Sequence, residues 1–282
     1  LVADPRIRSV LFTGSTEVAR HIQRQLARRP ADAPPARLIA ETGGQNALIA
    51  DASALPEQVV QDALASAFDS AGQRCSALRV LCLQHEIADR SLDLLAGAMA
   101  ELCVGNPAEL ATDVGPVIDD AARAGLLAHI DRMRAAGHRI VQCPLPDACA
   151  AGSFVPPTLI EIERIAELER EVFGPVLHVL RYPADGLDAL IDSIDATGYG
   201  LTFGVHSRID ERIDAACRRI HAGNLYINRN LIGAVVGVQP FGGEGKSGTG
   251  PKAGGPLYLP RLLGDLSPPP AALGLTRHTA DD

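Results

Sequence analysis

Residues 7–44 read IRSVLFTGSTEVARHIQRQLARRPADAPPARLIAETGG. The opening IRSVLFTGS is an apolar strand running into a turn at Gly14. TEVARHIQRQLARR carries its apolar residues at helical spacing, and ARLIAETGG is a second strand ending in two glycines. A strand, a helix and a strand in succession form the β-α-β unit of a parallel sheet, which needs apolar cover on both faces. Two strands do not bury both faces. The expectation is a piece of a longer protein, cut inside a doubly wound sheet.

The same alternation continues outward. NALIAD reads as a strand and LPEQVVQDALASAFDSAG as a helix, with Val59, Val60, Ala63, Leu64 and Ala67 on one face. LRVLCLQ, RIVQC, TLIEI and PVLHVLRY read as strands. IADRSLDLLAGAMAEL, DDAARAGLLAHIDRMRAAG, GLDALIDSIDAT and DERIDAACRRI read as helices, and GNLYINRN and GAVVGVQP as strand or loop pieces. The fold class is α/β throughout. PFGGEGKSGTGPKAGGP is too rich in Gly and Pro for a regular element, and SPPPAALGLTRHTADD reads as a linker-like tail.

Bulk properties narrow the function. The 282 residues are 46% hydrophobic and 21% charged, as in a globular chain. The formal charge is −8 with no basic block, which argues against a nucleic-acid partner. The longest apolar runs are too short to cross a bilayer, and no secretory signal is visible, so a reducing cytoplasmic setting is the expectation. The six cysteines, at 75, 82, 103, 143, 149 and 217, form no Cys-x-x-Cys unit and no spacing suited to a metal, so no metal is expected.

Several motifs carry chemistry, and each has a plainer reading. Gly14, Ser15 and Thr16 stand where a strand meets a helix; free N–H groups there suit a phosphate, and an ordinary N-cap explains them equally. Glu41 at a strand end, before Gly43 and Gly44, is a candidate general base or a surface acid before a turn. Cys75, in GQRCS, lies at the break between helix and strand. A free thiol is only about a few per cent ionised at neutral pH. A nucleophile there therefore calls for a lowered pKa, from Arg74 or from backbone N–H groups, against the alternative of a packed cysteine. EVFGPV joins Glu171 and Phe173 to a rigid Gly-Pro turn, and GAVVGVQPFGG is a glycine-lined loop with N–H groups suited to an anion, or simply turn chemistry.

Taken in order, FTGSTEVA, ETGGQN, GQRCS, EVFGPV, GNLYINRN and PFGGEGKSGTGPKAGGP resemble the aldehyde dehydrogenase superfamily, from about Val10 to about Pro256. GQRCSALRV and GAVVGVQPFGGEGKSGTGPKAGGP most resemble its glutamate-semialdehyde (1-pyrroline-5-carboxylate) dehydrogenase branch, in particular the module of the bifunctional proline-utilization enzymes. The resemblance implies a truncated Rossmann-type NAD domain over residues 1–42, a catalytic domain over 43–243, and a return segment and flexible tail over 244–282. It implies NAD-dependent oxidation of L-glutamate γ-semialdehyde to L-glutamate in proline catabolism. Cys75 aligns with the nucleophile that forms a thiohemiacetal and then a thioester, and its backbone N–H with part of the oxyanion hole. Glu41 aligns with the residue that activates the hydrolytic water. Gly14 and Ser15 match the cofactor-phosphate turn, Glu171 the acid on the nicotinamide ribose, with Phe173 beside it. Ser76, Gly233 and Ala234 match an anchor for the substrate carboxylate, Phe241 lines its aliphatic stem, and Arg74 stands beside the thiol as a tuning charge or a structural ion pair.

Two departures follow from the same resemblance. Many members carry a glycine where Ala19 stands, although the proline-utilization branch resembles this chain there. The upstream strands, a lysine for the adenine ribose and an oxyanion-hole amide of the family have no counterpart in these residues, so the chain alone is expected to bind NAD poorly and turn over little. A homo-oligomer and a linked proline dehydrogenase domain are the implied partners. Two rival readings stay open at this point: a dehydrogenase for another aldehyde, and an inactive fragment acting as an assembly module.

Overall fold

The structure is a computed structural model and describes residues 1–264. The expected tail, residues 267–282, lies outside the described residues, whereas the return segment is described as far as residue 264. Strand β1 (Ser9–Thr13), helix α1 (Thr16–Ala27) and strand β2 (Arg37–Glu41) form the expected β-α-β unit, with β1 and β2 parallel in a two-stranded sheet of their own. Leu11 and Val18 of this unit are about half exposed.

The remaining elements build a second, larger sheet and a small antiparallel pair. In chain order they are β3 (Ala47–Ala50), α2 (Pro56–Phe68), β4 (Val80–Gln84), α3 (His85–Ala100), α4 (Asp120–Ala135), β5 (Ile140–Gln142), β6 (Thr158–Ile162), β7 (Val176–Tyr182), α5 (Leu187–Asp195), β8 (Tyr199–Gly200), β9 (Thr202–His206), α6 (Asp210–Arg219), β10 (Asn224–Ile227), β11 (Glu244–Gly245) and α7 (Tyr258–Leu263). Seven strands run in the order β10-β9-β3-β4-β7-β6-β5, all parallel to their neighbours except the antiparallel edge strand β5. The small antiparallel pair is β8 with β11. Strands β3, β4 and β9 are buried along their whole length and β7 along nearly all of it, as a parallel sheet covered on both faces requires. The main core gathers on both sides of it, with Leu48, Ile49, Leu81, Leu83, Leu177 and Phe203 from the strands and Val59, Ala63, Leu95 and Ile130 from the helices.

Three local differences from the sequence pattern have physical causes. The helix read over residues 55–72 ends at Phe68, because Ser70, Ala71 and Gly72 turn left-handed at φ 56°, 53° and 63°. Strand β9 does not stand out in the sequence, because Gly204 interrupts its apolar run. A Cβ there would sit 2.7 Å from Leu231 Cδ2, so the glycine leaves room for close packing. GAVVGVQP forms no strand, and Val235, Val236 and Val238 are exposed on a loop. The Gly-rich segment contains only the two-residue β11, yet it is fixed: Thr249 and Ser247 bond back to Ala40 and Thr42 of and beside β2.

This arrangement places two sets of strand ends face to face. Gly14 and Glu41 stand at the carboxyl ends of β1 and β2, whereas Asn46, Arg79 and Pro175 precede the amino ends of β3, β4 and β7, and Thr202 opens β9. The larger sheet thus meets the cleft with its amino ends, the reverse of the usual location in open parallel sheets; the smaller one follows the usual rule.

Candidate active site

A cleft of about 1080 Å³ opens between the two sheets. Gly14, Ser15, Arg74, Cys75, Ser76, Glu171, Phe173, Ala234 and Phe241 all line it. Residues scattered over more than two hundred positions of sequence therefore share one wall. Gly233 and Glu41 do not line it, although Ala234 and the pair Thr42 and Gly43 beside them do.

Cys75 sits in the connection between α2 and β4. The three left-handed residues before it include two that are not glycine, each costing about 1–2 kcal/mol. The turn is held by side chains that the motif reading does not single out. Arg79 is fully buried and donates to the carbonyls of Gly72 (2.8 Å), Arg74 (3.1 Å) and Gly174 (3.3 Å) and to Glu171 (3.0 Å). Asn46 donates to the carbonyls of Cys75 (2.7 Å) and Ala77 (2.8 Å), and its own oxygen accepts from the N–H of Thr202. Gln73 ties the same loop to the backbone of Pro116 and Ile118. A charged residue inside the otherwise apolar run SALRVLCLQ, and an amide opening the stretch NALIAD, were the available sequence signals.

The expected lowering of the thiol pKa is corrected by this environment. Burial pushes the Cys75 thiol up, and the carboxylates of Glu171 and, more weakly, Glu41 push it further; the N–H groups of Ser76 and of Cys75 itself oppose them without prevailing. Arg74 does not supply the missing charge, because its guanidinium turns to Ser70 Oγ at 3.0 Å.

Glu41 occupies a closed niche under the Gly-rich segment. One carboxylate oxygen accepts the N–H of Gly243 at 3.0 Å, and the other is buried without a partner. Gly242 and Gly248 press on it so closely that a Cβ at either would stand 2.8 or 3.0 Å from its oxygens. Burial pushes its pKa up to about 7, against the pull of the Gly243 N–H and of Lys252. A carboxyl group so poised both accepts and releases a proton near neutrality.

Ser15 caps α1, accepting from the Val18 N–H at 3.2 Å, so the plainer N-cap role is present; the same helix end opens onto the cleft. Glu171 is 13% exposed and lies against Gly43, where a Cβ would stand 1.6 Å from its oxygen. Phe173 is half exposed, with Arg79 Cζ 5.1 Å from its ring centre. Phe241 is fixed on both sides: Asn224 donates to Pro240 O and accepts from the Gly242 N–H, while Phe241 pairs with Ala253. Ser76 is buried, with its hydroxyl-bearing residue in the cleft wall. Gly233 stays on the loop behind, its carbonyl facing Arg229.

The lining fits an anionic dinucleotide: a helix start with free N–H groups, glycine at Gly14 and Gly43 where a side chain would collide with Phe12 or Glu171, and a carboxylate between them able to accept from ribose hydroxyls. Among the described residues no helix is long and apolar enough to cross a membrane.

Comparison with known proteins agrees with this geometry. The pattern of the aldehyde dehydrogenase family matches residues 1–263. The bifunctional protein PutA of Salmonella typhimurium is 61% identical over 286 residues, covering 99% of this chain and 22% of that protein. A crystal structure of bifunctional proline utilization A superposes with a TM-score of 0.89 at 57% identity, over 93% of this chain and 26% of the other. A 1-pyrroline-5-carboxylate dehydrogenase from Thermus with bound NAD gives 0.86 at 36% identity, over 93% and 50%. The chain thus spans about a fifth of the bifunctional relative and half of the Thermus enzyme. By sequence pattern, fold and near relatives alike, the chain belongs to the aldehyde dehydrogenase family.

Proposed function

We propose that these residues form the chemical half of an NAD-dependent dehydrogenase that oxidises L-glutamate γ-semialdehyde to L-glutamate in proline breakdown. The observation that carries the reading is one cleft lined by Cys75 and Ser76 together with Gly14, Ser15, Glu171 and Phe173, with Glu41 adjoining it through the lining residues Thr42 and Gly43.

Cys75 adds to the aldehyde carbon, and its backbone N–H faces the oxygen that gains charge. NAD, held by Gly14, Ser15, Glu171 and Phe173, supplies the hydride acceptor when bound. Glu41 then takes a proton from the water that cleaves the Cys75 thioester. Because the resting thiol is pushed up, it must lose its proton as substrate arrives, and a base with a pKa of about 7 is suited to receive it. Ser76 and the loop at Gly233 and Ala234 anchor the remote carboxylate, with Phe241 along the stem. Residues 1–42 serve as part of the cofactor domain, 43–243 as the catalytic domain and 244 onward as a return segment. The share of the bifunctional relatives that the chain covers supports action within a longer protein that also carries a proline dehydrogenase domain, and a homo-oligomer completes the proposal.

The test is a dehydrogenase assay on the longer parent with NAD. L-glutamate γ-semialdehyde should outperform an aldehyde of equal length without the carboxylate by about a hundredfold or more in kcat/KM. Equal rates for the two aldehydes, or undiminished turnover by Cys75→Ala, overturn the proposal.

A further inference from the structure

Helix α4 brings to the cleft a largely buried hydrogen-bond chain that the proposed chemistry does not use. Arg132 and His129 of α4 both line the cleft. Arg132 Nη2 lies 2.8 Å from His129 Nδ1, His129 Nε2 lies 2.9 Å from His178 Nε2, and His178 Nδ1 lies 3.1 Å from the carbonyl of Arg79. His129 is 5% exposed and His178 not at all.

The direction of this chain follows from its ends. A guanidinium only donates, so His129 Nδ1 accepts. Its proton is then on Nε2 and is donated to His178 Nε2. His178 must carry its own proton on Nδ1, where the Arg79 carbonyl receives it. Each imidazole holds one proton, and a reversed order would set two lone pairs or two protons against each other at an end of the chain. Neutrality is enforced by surroundings on every side. His129 is pushed down to about 4 by burial, then by Arg132 and by Arg170 on the segment before Glu171. His178 is pushed down to about 3 by burial and by its neighbours His129, Arg79 and His138.

We infer that His129, His178 and Arg132 form a positioning relay for the nucleophile, transmitting the state of a cleft-facing cation to the loop that carries Cys75. The Arg79 carbonyl receives both the sheet N–H and the side-chain N–H of His178, which fixes the residue. From that anchor the Arg79 side chain grips Gly72, Arg74 and Glu171, so the strained turn and the carboxylate beside the thiol depend on one backbone position. Arg132 is the relay's exposed member and lines the cleft, so it is the member open to an anionic group of a cleft ligand. The inference rests on Cys75 being the nucleophile of the proposed reaction.

Nitrogen-15 NMR of the histidine rings of this chain, with iodoacetamide labelling of its cysteines, tests the relay without turnover. At pH 7, His129 should be the Nε2–H and His178 the Nδ1–H neutral form. Arg132→Leu, at an exposed position, should mix the tautomers and speed labelling of Cys75 roughly three- to tenfold, the worth of one hydrogen bond. Labelling of the exposed Cys103 should stay constant, and Arg132→Lys, which keeps a donor, should restore both readouts. Opposite tautomers in the unaltered protein, or an Arg132→Leu variant with unchanged ring signals and Cys75 labelling, overturn the inference. Failure of the proposed reaction would appear separately, as turnover that survives Cys75→Ala.

Discussion

Arg79, with no exposed surface, donates two hydrogen bonds to a single oxygen of Glu171, at 3.0 and 3.3 Å. The pair joins the loop before Cys75 to the segment after Arg170, and its charges compensate each other in a site where either alone would be costly. Arg79→Met leaves Glu171 buried without its cation and the carbonyls of Gly72, Arg74 and Gly174 without this donor. Urea unfolding should show a loss of about 3–5 kcal/mol. A loss below about 1 kcal/mol would mean that the pair is not a structural anchor.

Glu171 also holds the thiol in its protonated form, second only to burial. Glu171→Gln keeps the volume and an acceptor for Arg79 while deleting the negative charge. The Cys75 thiol should titrate at lower pH, and the pH profile of its alkylation should shift to the acid side. An unshifted profile would leave burial as the whole cause. Cys103, exposed elsewhere, labels readily in either protein and is the internal reference, not a rival nucleophile.

Gly72 is required twice over. Its φ is +63°, and a Cβ would stand 2.2 Å from Gly174 O and 2.8 Å from Ala67 O, both backbone atoms that have little room to yield. Gly72→Ala should lower stability by at least about 2 kcal/mol, and the melting temperature by about 4 °C or more. A melting temperature within a degree of the unaltered protein would show that the turn relaxes freely.

What the sequence disclosed, and what it hid, divides along physical lines. Period and punctuation marked β1, α1, β2, α3, α4 and β7, because each carries its own pattern and turn signals. Cys75, Glu41 and Glu171 stood out as candidates because small or rigid residues flank them, although each motif alone left its plainer reading open and the roles came from the family resemblance. Arg79, Asn46 and the His129–His178 pair did not stand out. Their partners lie 3 to 156 residues away, and a single Arg, Asn or His in an apolar run looks alike whether it binds nothing or fastens a loop. The raised Cys75 thiol escaped the sequence for the same reason: adjacency to Arg74 suggested a cation, whereas folding turned that side chain to Ser70 and brought two carboxylates from distant strands and loops.

Acid should destabilise the fold through the buried histidines. Their folded pKa values, about 4 for His129 and about 3 for His178, lie below the ordinary 6.5. As pH falls below about 6.5, the unfolded chain takes up protons that the folded chain refuses, so stability drops with a slope of up to about 1.4 kcal/mol per pH unit for each group. The loss continues to about pH 4 and beyond, and above about 6.5 the contribution is complete. Unfolding midpoints in urea between pH 7 and 4 should show this slope, and His129→Gln should remove part of it. An unchanged slope in His129→Gln would show that the His129 imidazole titrates normally; the comparison with the unaltered protein removes the opposing slope of Glu41 over the same range.

Glu41 carries the opposite sign. Its folded pKa of about 7 lies above the ordinary 4.5, so its contribution to stability is complete below about 4.5 and is lost as pH rises through 7. The proposed catalysis needs the very form that folding disfavours. Hydrolysis of the Cys75 thioester in the longer parent should therefore rise with pH, pass its midpoint near 7 and level off above it. Glu41→Gln should keep acylation of Cys75 but slow hydrolysis by about 10²–10⁴-fold, so that one equivalent of product forms and the thioester accumulates. Lys252→Met should move the midpoint upward, because that cation favours the ionised carboxylate. Steady turnover by Glu41→Gln, with no accumulated thioester, would assign the hydrolytic base to another group in the cleft.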